Sequence, residues 1–125
     1  MEENHDALIR AVGKEYQDIL ANSEQAIYIY LDDSHKICNK KFATLLGYDS
    51  EDEWAKIDAS FPDAFVADES QETLVTSFQD AMEKNVASTT TIVWKKKDSS
   101  TISSTVILVP ISCNGHQFAL HFVSS

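Results

Sequence analysis

The sequence predicts an α+β fold, five strands with short helices between them and an amphipathic helix in front, on three observations. Apolar residues recur every three or four positions from Asn4 to about Asn22. Runs rich in β-branched and aromatic residues fall at the two ends of the remaining chain, over 26–38 and 88–123. Between those runs lie three helix-capping signals.

In the first helix Leu8, Ile9, Val12, Tyr16, Ile19 and Leu20 form the apolar stripe, with Asp6, Arg10, Lys14, Glu15 and Asp18 between them. "AIYIYL" (26–31) has strand composition, "DDSH" carries turn chemistry, and Ile37-Cys38 is a short apolar return, so a hairpin is expected. In "NKKFATLLGY", Asn39 to Tyr48, the Asn39 side chain can cap a short helix and Gly47 can take the left-handed conformation that ends it. Phe42, Leu45 and Leu46 then share one buried face. "SEDEW" offers a capping box, Ser50 with Glu53 three residues on, and the pattern breaks around Phe61-Pro62. "DESQ" offers another, Asp68 with Gln71, ahead of Leu74, Val75, Phe78, Ala81 and Met82 on one face of the longest internal helix, which should end near Asn85.

The last third reads as three strands in meander order: "STTTIVWKKK", "TISSTVILVPIS" and "HQFALHFV". "DSS" separates the first two, and Asn114-Gly115 separates the last two as a type I′ hairpin signal, because both turn residues need positive φ. There are no repeats and no low-complexity tract. The one composition shift divides an N-terminal helix, residues 1–23, from a domain over 24–125.

A chain of 125 residues fits a single core without metal or disulfide staples. Its net charge of -10 repels phosphate backbones and anionic lipid, and Lys95-Lys96-Lys97 is too short a basic cluster to reverse that. Nucleic acid and membrane are therefore not expected partners. The start, Met1 to Asp6, is acidic and polar where a secretory signal is basic and then apolar, and a cytoplasmic location is expected. Cys38 and Cys113 are too few for a disulfide framework and are expected to be reduced, buried residues.

The order of elements, with strands at the two ends of a helical middle, resembles the PAS (Per-Arnt-Sim) sensory domain. The likeness is sharpest at "NKKFATLLGY", similar to that family's Asn-capped helix ending in Leu-x-Gly-Tyr, and at Ser50 to Trp54, similar to its acidic "S-x-x-E" helix start. "WKKKDSS" resembles the family's basic hairpin ending in Asp-Gly, and "VPISCNG" its Pro-Ile followed by a turn glycine. The resemblance runs from about Glu24 to Val123. It implies a PAS-like five-stranded antiparallel sheet with short helices on one face, and a non-enzymatic role in signal sensing or protein interaction. Two features depart from the pattern: Ser99 stands where the family's turn has Gly, and "HFVSS" lacks the Asp-Ile-Thr that often links such a domain to its effector.

The resemblance also bears on cofactors, and none is expected. Haem-binding relatives place a ligating His in the longest helix, but His5, His35, His116 and His121 all lie outside residues 54–85. Flavin photosensors of this fold use a Cys in the middle helices, and none occurs between Cys38 and Cys113. Anion-sensing relatives need cationic donors, yet the only Arg is Arg10. Nor do the residues assemble a catalytic set. Asp32-Asp33 reads as a solvated turn, Glu51 to Glu53 as acids favouring a helix start, and His121 as a histidine satisfied by one hydrogen bond. No catalytic residue and no metal ligand is assigned.

What remains is an apolar cavity. Residues two apart share a strand face, which separates Ile27, Ile29 and Leu31 from Tyr28 and Tyr30. By the family's pattern the first set faces the helices, so Ile29, Leu31, Leu46, Phe65, Phe78, Ile107, Val109, Leu120 and Phe122 are the expected lining of a cavity for a small apolar ligand. Ile9, Val12, Tyr16 and Ile19 follow the 3-4-3 spacing of a coiled-coil seam, and with Tyr28 and Tyr30 on the outer sheet face they are the expected homodimer interface. The competing readings are a small α+β enzyme of the cone-shaped hydrolase or isomerase type, using Asp32, Asp33 or His121, and a scaffolding module with a filled core. The ligand, the effector and the pathway are not legible in the residues.

Overall fold

A computed structural model of the chain describes residues 4–113 and 115–124. Strands β1 (Ala26–Asp32), β2 (His35–Cys38), β3 (Ser88–Lys95), β4 (Thr101–Cys113) and β5 (His116–Ser124) form one sheet in the order β2-β1-β5-β4-β3. Every pairing is antiparallel, and the hairpin and the meander meet where Tyr28 lies opposite His121 and Ile29 opposite Leu120. The α+β class and the five-stranded antiparallel sheet are as expected. The last hairpin closes with Cys113 opposite His116 and Gly115 at φ 79°, while the type I′ expectation also rests on Asn114, which lies outside the described residues.

Among the described residues six helices accompany the sheet: α1 (His5–Glu15), α2 (Gln17–Asn22), α3 (Lys40–Leu45), α4 (Glu51–Ala55), α5 (Phe61–Phe65) and α6 (Asp68–Lys84). Local capping chemistry explains several of their ends. The Asn39 side-chain oxygen accepts from Phe42 N at 3.0 Å, and Gly47 ends the same turn at φ 85°. Ser50 accepts from Glu53 N at 3.1 Å, while the Glu53 carboxylate reaches back one residue further than a capping box requires, to Asp49 N. Asn85 closes α6 in the left-handed conformation, at φ 56° and ψ 45°.

Three expectations about the helices are corrected. The N-terminal segment is two helices, broken at Tyr16 with φ -104° and ψ 14°. Only Leu8 and Val12 of α1 are buried and nothing in α2 is, and Gly13 lowers helix propensity within the last turn before the break. The interruption at Phe61-Pro62 is itself a short helix, with Pro in its first turn where no amide partner is lost. Asp68 is the first residue inside α6 and not its cap. Ala67 N is bonded to Val93 O at 2.9 Å, so pairing with β3 fixes the extended residue one position earlier, and Gln71 donates to the Pro62 and Val66 carbonyls.

Helices α3 to α6 cover one face of the sheet and α1 the other. Beneath α3 to α6, Tyr28, Phe42, Trp54, Phe61, Phe65 and Trp94 form an aromatic core, with Tyr28 and Phe42 centroids 4.8 Å apart and Trp54 and Phe65 5.4 Å apart. Each such pair contributes roughly 0.5–1.5 kcal/mol beyond area burial. On the opposite face Leu8 and Val12 pack on Ile27, Ile29, Phe118 and Leu120.

This arrangement reverses the expected sense of the sheet. Ile29, Leu31, Val109, Leu120 and Phe122 belong to the α1 side, and Ile107, paired with Phe122, shares their face. Tyr28 and Tyr30 point beneath the helices and are not on an outer face. The alternation was readable, but both faces of β1 are apolar and buried, so a period of two could not say which one meets the helices. The close approach of α1, where a Cβ on Gly13 would lie 3.1 Å from Ile37 Cδ1, suits the aliphatic face, and the larger rings fill the deeper space.

The two cysteines are free and buried, on opposite faces. Cys38 on β2 and Cys113 on β4 are three strand spacings apart in the sheet order, about 14 Å. That is beyond the roughly 7 Å limit for bridging Cα atoms.

Candidate functional site

Between the sheet and helices α5 and α6 lies a cavity of about 200 Å³, lined by Tyr28, Tyr30, Phe61, Pro62, Leu74, Val75, Phe78, Gln79 and His121. Strand alternation places Tyr28 and Tyr30 on its floor, and antiparallel pairing sets His121 beside Tyr28. Positions 74, 75, 78 and 79 supply its wall because residues three and four apart share a helix face.

The polar groups of the lining are held neutral. The His121 ring stacks on Tyr28 with centroids 3.9 Å apart, and its Nδ1–H donates to the Ala119 carbonyl at 3.1 Å. Burial pushes the His121 pKa down to about 3, so the ring is uncharged at neutral pH. Burial also raises the Tyr28 and Tyr30 hydroxyls well above the ordinary phenol range, helped at Tyr30 by its bond to Asp33. Tyr30 donates to Asp33 Oδ1 at 2.8 Å, and the same oxygen accepts from Phe61 N at 3.1 Å. Asp33 therefore pins the start of α5 to the hairpin. The buried Lys36 ammonium is occupied outside the cavity, donating to the Asp33, Ala55 and Ile57 carbonyls 5.3 Å from the Trp54 ring, and burial lowers its pKa.

Of the expected lining, Phe78 faces the cavity, and Leu46 and Phe65 sit in the adjoining aromatic core. Ile29, Leu31, Ile107, Val109, Leu120 and Phe122 do not, because they lie on the opposite face. Among the residues missed, Leu74 and Val75 carried a signal, since they share the helix face that holds Phe78. Tyr28, Tyr30 and His121 were hidden by the reversed sense of the sheet. Of the expected dimer contacts, Val12 is covered by the protein's own sheet and Tyr28 and Tyr30 are internal, while Ile9 and Tyr16 are partly buried and Ile19 is exposed.

Asp32 is not a solvated turn residue. Its carboxylate meets His5 Nδ1 at 2.5 Å and His35 Nδ1 at 2.7 Å, which joins the first residue of α1 to the β1–β2 turn.

No protein-family model matches the sequence, and no curated protein matches it significantly. Solved structures do match. A PAS domain from Colwellia psychrerythraea is 21% identical with a TM-score of 0.70, over 91% of this chain and 96% of that one. The PAS-B domain of Drosophila melanogaster Cycle with bound ethylene glycol is 13% identical with a TM-score of 0.65, over 79% and 97%. A light-oxygen-voltage domain studied with a flavin analogue is 17% identical with a TM-score of 0.63, over 90% and 82%. The chain has the PAS fold.

Proposed function

We propose that the protein is a signal-sensing or protein-interaction domain that takes up a small, neutral, apolar ligand between β1, β5 and helices α5 and α6. The observation that carries this reading is the cavity, with aromatic and aliphatic walls and no ionised side chain among its lining residues. Its volume of about 200 Å³ exceeds the ~150 Å³ of an apolar cavity able to hold benzene, so a single or fused aromatic ring is the scale of ligand it fits. The ethylene glycol named with the Drosophila domain gives a precedent for a small neutral guest in this fold.

A light-oxygen-voltage neighbour makes flavin the cofactor to consider, but no lining residue here is a cysteine. Nor does α6 carry a histidine to ligate haem. The role is non-catalytic. The acids and base that a cone-shaped hydrolase or isomerase would use are committed elsewhere, Asp32 to His5 and His35, Asp33 to Tyr30 and Phe61, and His121 to a backbone carbonyl. The N-terminal segment, helices α1 and α2, docks on the domain that starts near residue 24 and through Ile19 reaches a second copy, giving a homodimer. A cytoplasmic location suits the acidic chain, and among the described residues no helix is long and apolar enough to cross a membrane.

Protein purified under native conditions, scanned for visible absorption and then denatured for mass spectrometry of what it releases, tests this reading. The expected result is a neutral small molecule and no Soret or flavin band. A stoichiometric haem or flavin band, or a released polyanion, would overturn it.

A further inference from the structure

The docking of α1 on the β1–β2 turn brings together His5, Asp32 and His35, whose donor atoms all lie within 4.8 Å of one another. We propose that these three side chains form a binding site for a divalent ion of the zinc class, closed by solvent at the fourth position, which clasps the N-terminal helix to the hairpin. The sequence alone assigned no metal ligand, because two of the three flank a hairpin turn and the third lies 27 positions from Asp32.

Two imidazole nitrogens and one carboxylate oxygen are the ligands that Zn²⁺, Ni²⁺ and Cu²⁺ favour, whereas Mg²⁺ and Ca²⁺ take all-oxygen shells. The donors are supplied in convergent form. His5 Nδ1 stands 2.5 Å from Asp32 Oδ2 and His35 Nδ1 2.7 Å from Asp32 Oδ1, and the two rings meet edge to face with centroids 5.5 Å apart. A tetrahedral zinc shell has ligand-to-ligand edges of about 3.3 Å, so each of the two histidine–carboxylate edges must open by under about 1 Å to admit the ion. Each ring binds zinc through Nδ1 as a neutral imidazole keeping its Nε2–H. An imidazolium therefore gives up its Nδ1 proton to solvent, and a neutral Nδ1–H ring shifts its proton to Nε2 through solvent, while a carboxylate oxygen of Asp32 completes the protein ligands.

The outer partners are also in place. His35 Nε2 lies 2.8 Å from Asp6 Oδ1, the carboxylate–histidine contact that orients a ligating ring. Asp32 Oδ1 accepts from Ser34 N at 3.0 Å, which fixes the carboxylate in the turn. The side chains of His5, Asp32 and His35 keep 42%, 36% and 24% of their exposure, enough for an ion to enter and for water to complete the shell.

Calorimetric titration of the tag-free chain with ZnCl₂, MgCl₂ and CaCl₂ tests the site. One Zn²⁺ per chain is expected, with no heat from the other two. His5→Ala and His35→Ala should each weaken binding beyond detection at micromolar protein, Asp6→Asn should weaken it about tenfold, and His116→Ala should leave it unchanged. A second readout needs no variant: imidazole nitrogen resonances of His5 and His35 should move with zinc while those of His116 and His121 stay. No stoichiometric zinc binding, binding that survives both His5→Ala and His35→Ala, or binding lost in His116→Ala would each overturn the assignment.

Discussion

At His121, burial and titration pull against each other. The ordinary pKa of 6.5 applies in the unfolded chain, while burial against Tyr28 lowers the folded value to about 3. Between those values the unfolded state holds a proton that the folded state lacks, so stability falls as pH falls through that window and is flat above it. The difference grows to about 2 kcal/mol by pH 5. Urea unfolding at pH 7 and pH 5 should show this loss in the wild type and a much smaller one in His121→Phe; equal losses would contradict the buried neutral ring. Ser99 supplies a second residue-level prediction. It holds φ 73° where an L side chain is strained, in a turn closed by Ser99 N to Lys96 O at 3.0 Å. Ser99→Gly relieves that strain at some cost in unfolded-chain entropy, and a gain of about 0.5–1 kcal/mol is expected as a higher urea midpoint at unchanged slope. A lower midpoint would show that the serine is not strained.

The α3 start illustrates how one element couples local and long-range structure. The Asn39 side-chain oxygen accepts from Phe42 N and also from Ile27 N, and its amide donates to Gln25 O. Asn39→Ala removes the cap and leaves the buried Ile27 N–H unpaired, so a loss of about 2–4 kcal/mol is expected from chemical denaturation. A loss under about 1 kcal/mol would mean that only the cap matters. The cap itself was legible in the sequence, as were Gly47, Ser50 and the end of α6 near Asn85, because each depends on residues within four positions. The start of α6 was not, since it is set by Ala67 pairing with Val93 across 26 positions of chain. The break at Tyr16 was hidden for a related reason: an unbroken apolar stripe says nothing of how far the surface beneath it extends. The site suffered most from the two-sided burial of β1. Its uncharged, apolar chemistry and Phe78 were readable, but turning the strand over exchanged Ile29 and Leu31 for Tyr28 and Tyr30. Only the packing of Leu8 and Val12 on the isoleucine side decides between them.

For the whole molecule, the N-terminal segment and the cavity lie on opposite faces of one sheet, so strand β1 touches both. Ile19 is 44% exposed on α2, while Val12 is fully covered, which leaves α2 and not α1 as the part of this segment free to meet a second copy. Light scattering at high micromolar concentration should report a dimer that Ile19→Glu and a chain starting at Ser23 both disrupt; a monomeric wild type, or dimers in both variants, would remove the segment from the interface. The inner face of the sheet, not the outer one, is the proposed seat of a neutral apolar molecule. The direct measurement is an NMR titration of the purified chain with indole, comparing wild type with Leu74→Trp, which fills the cavity. Saturable shifts at Tyr28, Tyr30, Phe78 and His121, absent at Ile29 and Leu120 and abolished in a folded Leu74→Trp, are the predicted result. Shifts centred on Ile29 and Leu120, or binding undiminished in Leu74→Trp, would contradict it.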